Sequence, residues 1–391
     1  MKKSRSLDIR YACVQATYLM LFSSTVGYAS AYLGLHDFNG TSIGLIFCFA
    51  NIFSVILQPG LASYIDKSKK YTLSQLVIAC ALSVAIVSAI MYFSRTRWVL
   101  FAGYTYILTF AITMMPFVNS LSFSFEKKGY DINFSLARGI GSAAYALTSL
   151  LMGYVIALYN SDVLPIFYIV VTLAFWAFII RFKAPKVVSE EKEKEEKPQQ
   201  LSLLQFVRKY GRFMVVVLGI VLVYFDHAII TNFFAQVIEH VGGSQKDMGN
   251  TLFLASIVEI PMMLLFSRLC KKIDGGYLLV IAAVFFTIKH IITYYADSVT
   301  MIYVAEALQI FAYALFIPSS VYYVSRLISH HDITKGQAMM TGAMALSSVF
   351  ASLLGGILLD TIGADHMLLV GAIVSFIGTI IVFFSVQKVD S

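Results

Sequence analysis

A helix crosses the hydrocarbon core of a membrane with about 20 apolar residues, and runs of that length recur along this 391-residue chain. They fall at roughly 11–34, 42–64, 71–93, 97–122, 134–157, 163–181, 211–236, 248–269, 276–295, 299–325, 337–359 and 365–387. Hydrocarbon offers the backbone no partner, so each run must satisfy its own hydrogen bonds as a helix. The pattern predicts an all-α polytopic membrane protein of twelve transmembrane helices. Composition agrees: 59% of residues are hydrophobic and 13% charged, about half the charged share of a soluble domain. The first run follows "MKKSRSLDIR" and is too long for the apolar region of a signal peptide, so no cleavable leader is expected.

The one long polar stretch, "APKVVSEEKEKEEKPQQ", mixes Glu with Lys and reads as a solvated linker. It predicts three parts: a six-helix bundle at 1–183, a cytoplasmic linker at 184–207 and a second six-helix bundle at 208–391. Two such halves are the plan of a transporter class whose site lies at the membrane midplane. Orientation follows from the 29 Lys and Arg. With both termini cytoplasmic, only Arg95, Arg97 and Lys246 fall outside, and Arg138 and Lys289 lie within helices. The net charge of +7 therefore reports topology in the cytoplasmic membrane and not a nucleic-acid partner.

Five ionisable residues are claimed by helices: Arg138, Asp226, Glu259, Lys289 and Glu306. Placing an arginine at the bilayer centre costs about 3 kcal/mol even on a lenient scale, so such residues are functional candidates by default. Arg138, Ser142 and Tyr145 fall on one helix face, and guanidinium can bond in pairs to neighbouring hydroxyls or to a carboxylate. The bland alternatives are an interhelical ion pair for Arg138, packing for Ser142 and a lipid-facing ring for Tyr145. If all five charges share one cavity, an acid is left without a basic partner and is suited to carry a proton. Glu259, just before Pro261, ranks first, Glu306 second and Asp226 third, the last also a possible partner for Lys289. His290 faces about 100° away from Lys289. His330 and His331 read as surface residues, and Cys13, Cys48, Cys80 and Cys270 as small apolar residues without metal spacing.

The stretches "LHDFNGTSIGLIFCFANIFSVILQPGLASYIDK" (35–67), "NFSLARGIGSAAYA", "TNFFAQ" and "IDGGYLL" resemble the major facilitator superfamily, and within it the lactose permease group of oligosaccharide–proton symporters. The resemblance implies that Arg138 is the sugar-binding arginine of the fifth helix, with Tyr145 in place of a stacking tryptophan and Ser142 lining the pocket. It sets Asn119 where the family has a carboxylate, Asn232 on an asparagine, Ser256 on a glutamate and Lys289 on an arginine. Gln309 and Ala312 replace the coupling histidine and glutamate, and Asp66 takes the acidic position of the conformational gating loop.

These residues imply a secondary transporter moving a sugar or oligosaccharide with a proton by alternating access. It would work as a monomer in the lipid bilayer, with the proton gradient and no cofactor as its drive. Nucleosides and aromatic or organic acids are the alternative solutes, ahead of drug efflux and of a non-transporting sensor. No nucleophile–base pair, metal set or phosphate-binding loop suggests an enzyme.

Overall fold

The computed structural model describes residues 2–3, 5–68, 71–126, 130–182 and 202–389. Apart from a two-residue parallel pairing of Lys2–Lys3 with Tyr130–Asp131, the described elements are helical. Ten of the described helices are long and apolar enough to cross a membrane, with Ile333–Ser385 counted once. Arg5–Gly27 is not among the ten: it carries Arg5, Asp8, Arg10 and Gln15 and ends in a Ser-Ser-Thr run. The twelve-helix count rests on the sequence pattern.

Helix starts follow local chemistry. Asn39 accepts a hydrogen bond from the Ser42 N–H (3.2 Å) ahead of Gly40–Lys67. Thr72 and Gln75 close a capping box before Leu73–Phe93, and Asn133 accepts from Leu136 N–H (2.9 Å) before Phe134–Tyr159. Each cap matches a donor that the first helical turn leaves open. Gly363, with φ 80°, splits Ile333–Ser385. That left-handed conformation suits glycine, and it falls between the eleventh and twelfth apolar runs.

Several expected boundaries shift. The first run is two helices, Arg5–Gly27 and Ala29–Leu35, and the seventh ends at Asn232 with Phe234–His240 following. The tenth is Val299–Ala307, a tight turn Leu308–Ile310, and Tyr313–Leu327. Most of the expected linker lies outside the described residues. Its last part is not solvated coil: Ser202 and Gln205 cap the helix Leu203–Lys209, and Phe206 is buried.

The chain groups into two compact units, Met1–Glu191 with Ser244–Ser256, and Lys192–Gly243 with Ile257–Ser391. The start of the helix Gln245–Leu269 thus belongs with the first unit. A Cβ placed on Gly249 would sit 2.9 Å from the Gly153 Cα and 2.8 Å from the Ser149 carbonyl oxygen. Small residues let the two backbones touch, the usual device for packing helices in lipid.

The first unit's core is built on phenols whose hydroxyls reach backbone carbonyls. Tyr18 donates to Ala111 O (2.7 Å), Tyr104 to Thr25 O (3.1 Å) and Tyr168 to Ser24 O (3.1 Å). The second unit's core gathers Phe206, Phe213, Phe286, Phe316 and Tyr323. Large apolar side chains left exposed, such as Phe93, Trp98, Leu264 and Phe384, suit a lipid surround.

Candidate functional site

In the first unit the polar residues converge from three helices. Gln15 of Arg5–Gly27 is 0% exposed, and its amide N–H₂ donates to Tyr11 Oη (2.7 Å) and to Asn119 Oδ1 (3.0 Å). Tyr11 in turn donates to the carbonyls of Val118 and Asn119. Asn119 lies one turn beyond Pro116 in Arg97–Ser120. Arg138, half-buried on Phe134–Tyr159, acts electrostatically on both Tyr11 and Tyr18.

Among the described residues no carboxylate pairs with Arg138, and no side chain hydrogen-bonds its guanidinium. An unpaired cation half-buried in an apolar helix needs a compensating anion or several acceptors. The Gln15 carbonyl oxygen is likewise buried without a partner. Ser142 donates to the Arg138 carbonyl (3.2 Å), and Tyr145 is half-buried one turn further along. Gln15, Tyr11 and Asn119 therefore form one hydrogen-bonded cluster, on which Arg138 acts through Tyr11; the sequence reading contributed Asn119 and Arg138. Gln15 escaped it because the search followed formal charge, and an uncharged amide in "ACVQATY" carries none. A search for every strongly polar side chain inside an apolar run would have found it.

In the second unit Lys289 is 1% exposed and binds two partners. Its ammonium lies 2.7 Å from Glu306 Oε2 and 2.6 Å from Gln309 Oε1. Gln309 passes the network on, its N–H₂ donating to Glu259 Oε1 at 3.3 Å. The break at Leu308–Ile310 sits at these partners, directly after Glu306. Across these contacts, two carboxylates and one ammonium sum to one formal negative charge.

Asp226 is not the partner of Lys289. Lys289 and His290 are neighbours on one helix and point about 100° apart, so the lysine meets Glu306 while His290 meets Asp226. Two other expected site residues are engaged inside their own units. Asn232 donates to Ser352 Oγ (2.9 Å) and Ser256 to the Leu252 carbonyl (2.8 Å). Asp66 is exposed in the last turn of Gly40–Lys67, before the loop expected to hold it. The four cysteines are free, and no group of His, Cys, Asp and Glu among the described residues is arranged to hold a metal ion.

The profile of the MFS_1 like family matches residues 11–370. The chain belongs to that family. Its solved structural neighbours are membrane transporters, and the protein is a transporter of this superfamily and not an enzyme. A point mutant of the nucleoside transporter NupG superposes with a TM-score of 0.80 at 16% identity, over 97% of this chain and 100% of that one. A bacterial homologue of the iron transporter ferroportin gives 0.74 at 12%, over 97% and 98%. A D-xylose–proton symporter gives 0.70 at 13%, over 99% and 98%. At these identities the likeness establishes the fold. No curated protein matches the sequence. The expected membership of the major facilitator superfamily holds, while the narrower likeness to the lactose permease group rests on the sequence motifs.

Proposed function

We propose that this transporter moves a small hydroxylated solute, a sugar or oligosaccharide, across the cytoplasmic membrane together with a proton. The observation that carries the reading is the contrast in pairing. Arg138 has no described partner, while Lys289 is held by Glu306 and Gln309. A guanidinium without a described partner, acting on Tyr11 of the Gln15–Tyr11–Asn119 cluster, offers paired donors matched to vicinal hydroxyls. Tyr145, on the same helix face as Arg138, supplies a ring for the apolar side of a pyranose.

The proton belongs to the Lys289–Glu306–Gln309–Glu259 network, where a single proton cancels the excess charge. Glu259 is its acceptor: it is half-buried, and its Oε1 meets the neutral Gln309 amide, while Glu306 is held by the ammonium. Alternating access of this class rocks one bundle against the other, and solute binding drives it only where the conformations differ in affinity. The chain acts as a monomer with both termini cytoplasmic, and it needs no cofactor beyond the proton gradient.

A nucleoside is the second reading. The absence of a described acid at Arg138, together with the paired donor and acceptor of the Gln15 and Asn119 amides, suits a base edge as well as a ribose. A thermal-shift screen of purified protein against sugars, nucleosides and aromatic acids, repeated on Arg138→Ala, tests both. The expected result is a hit in one of the first two classes that disappears in the variant. A hit that survives Arg138→Ala unchanged removes the proposed site.

A further inference from the structure

The second unit holds another buried cluster, set apart from the Lys289 network. Asp226, of the helix Gly211–Asn232, and His290, of Gly275–Tyr294, are both 0% exposed, with Asp226 Oδ2 3.5 Å from His290 Nδ1. Neither carboxylate oxygen of Asp226 has a hydrogen-bond partner. His290 Nδ1 meets Ser375 Oγ at 2.8 Å, and its Nε2 is unpartnered. The wall beyond is a run of hydroxyls that satisfy one another, Thr287 with Thr379 (2.8 Å) and with Ser375 (3.2 Å).

Gly371 closes the other side, and a Cβ there would overlap the Asp226 carboxylate. The titratable groups bearing on the pair are few. Lys289 acts on both members, and His227, stacked on Tyr313 with a buried, unpartnered Nδ1, acts on His290. The helix after Gly363 brings Ser375, Thr379 and Gly371 to this place.

An ionised carboxylate without a protein donor, in a fully buried site, is among the costliest arrangements a fold can hold. Lys289 does not relieve it by contact: its ammonium lies on Glu306 and Gln309, and among the described residues the basic partner of Asp226 is His290. Among the described residues no group of His, Cys, Asp and Glu here could hold a metal ion.

We propose that Asp226 and His290 hold one proton between them, forming a proton-binding site distinct from the Lys289–Glu306–Gln309–Glu259 network. The proton bonds to an Asp226 carboxylate oxygen through that atom's own lone pair, beside a neutral His290 imidazole. Nothing is oxidised or reduced, and the titration belongs to the pair and not to either residue. When the proton leaves, the negative pair acts on Lys289, the residue next to His290, and competes with Glu306 for its charge. This role in the cycle rests on the symport reading; the proton itself does not.

Infrared spectra of the full-length protein in lipid nanodiscs, without solute, test the site from mildly acidic to mildly alkaline pH. The expected spectrum contains a protonated-carboxyl band that shifts when aspartate is labelled with ¹³C at its side-chain carboxyl. The band is lost in Asp226→Asn, moves in His290→Gln and persists in Glu259→Gln. Should Asp226→Asn fail to fold, the label in the wild-type protein and the His290→Gln shift carry the test. Absence of any label-sensitive band at every pH, or a band untouched by Asp226→Asn or His290→Gln, overturns the proposal. Because no solute is present, failure of the transport reading leaves this result standing, and the reverse also holds.

Discussion

Around Arg138 the first unit gathers amides and phenols and no described acid; around Lys289 the second gathers Glu306, Gln309 and, through Gln309, Glu259. Both cations sit in apolar helices, yet among the described residues only Lys289 has a counter-charge. A cation with an internal partner is committed, and its removal is felt by the fold. One without a partner keeps its binding capacity for something that arrives from outside. On the proposed function, two cations inside membrane helices thus divide into a structural and a ligand-facing role according to what the neighbouring helices supply.

The sharpest way to break this contrast is to remove Glu306. Glu306→Ala strands a buried ammonium and is expected to cost about 3–5 kcal/mol of stability, read as a large drop in thermal midpoint in detergent. The paired replacement Lys289→Met with Glu306→Leu should recover most of that loss. If Glu306→Ala melts like wild type, Lys289 is not held as described.

Gln15→Leu comes next. It removes two hydrogen bonds from a buried amide and leaves Asn119 Oδ1 without its donor, for an expected loss of about 1–3 kcal/mol by thermal or denaturant unfolding. Arg138→Ala should change stability by no more than about 0.5 kcal/mol, since no described partner is stranded. Its effect is expected in solute-induced stabilisation instead. A loss of stability on the scale of Glu306→Ala would show that Arg138 is a structural residue.

The smallest effect is at the cytoplasmic end. Desolvation raises the Asp332 carboxyl, but hydrogen bonds from Lys209, Ser329 and Tyr210 outweigh it and hold the group below the usual carboxylate range. A depressed folded value means stabilisation that is present above the ordinary carboxylate range and lost as pH falls through the folded value. The difference in thermal midpoint between wild type and Asp332→Asn should therefore shrink on acidification and be steady near neutral pH.

The apolar runs made the helices legible, because lipid leaves the backbone no other choice. The break between the last two runs was visible as well, since one apolar run stops at 359 and the next starts at 365; Gly363, with φ 80°, stands in that gap. The split of the tenth run was not visible: "AEALQIFAY" contains neither proline nor glycine, and what gathers there is the polar network at Glu306 and Gln309. Among the site residues, formal charge revealed Arg138, Lys289, Glu259 and Glu306 but not who pairs with whom. Pairing depends on which way adjacent residues point round a helix. That is why Lys289 went to Glu306 and left Asp226 to His290. Uncharged Gln15 and Gln309, which tie each cluster together, carried no signal in a count of charges.

Uphill uptake into proteoliposomes, driven by an imposed pH gradient and using the solute identified by the thermal-shift screen, tests the central claim most directly when Glu259→Gln is set beside wild type. The account predicts that the variant still exchanges solute across the membrane but no longer accumulates it. Accumulation at the wild-type level in Glu259→Gln would contradict it.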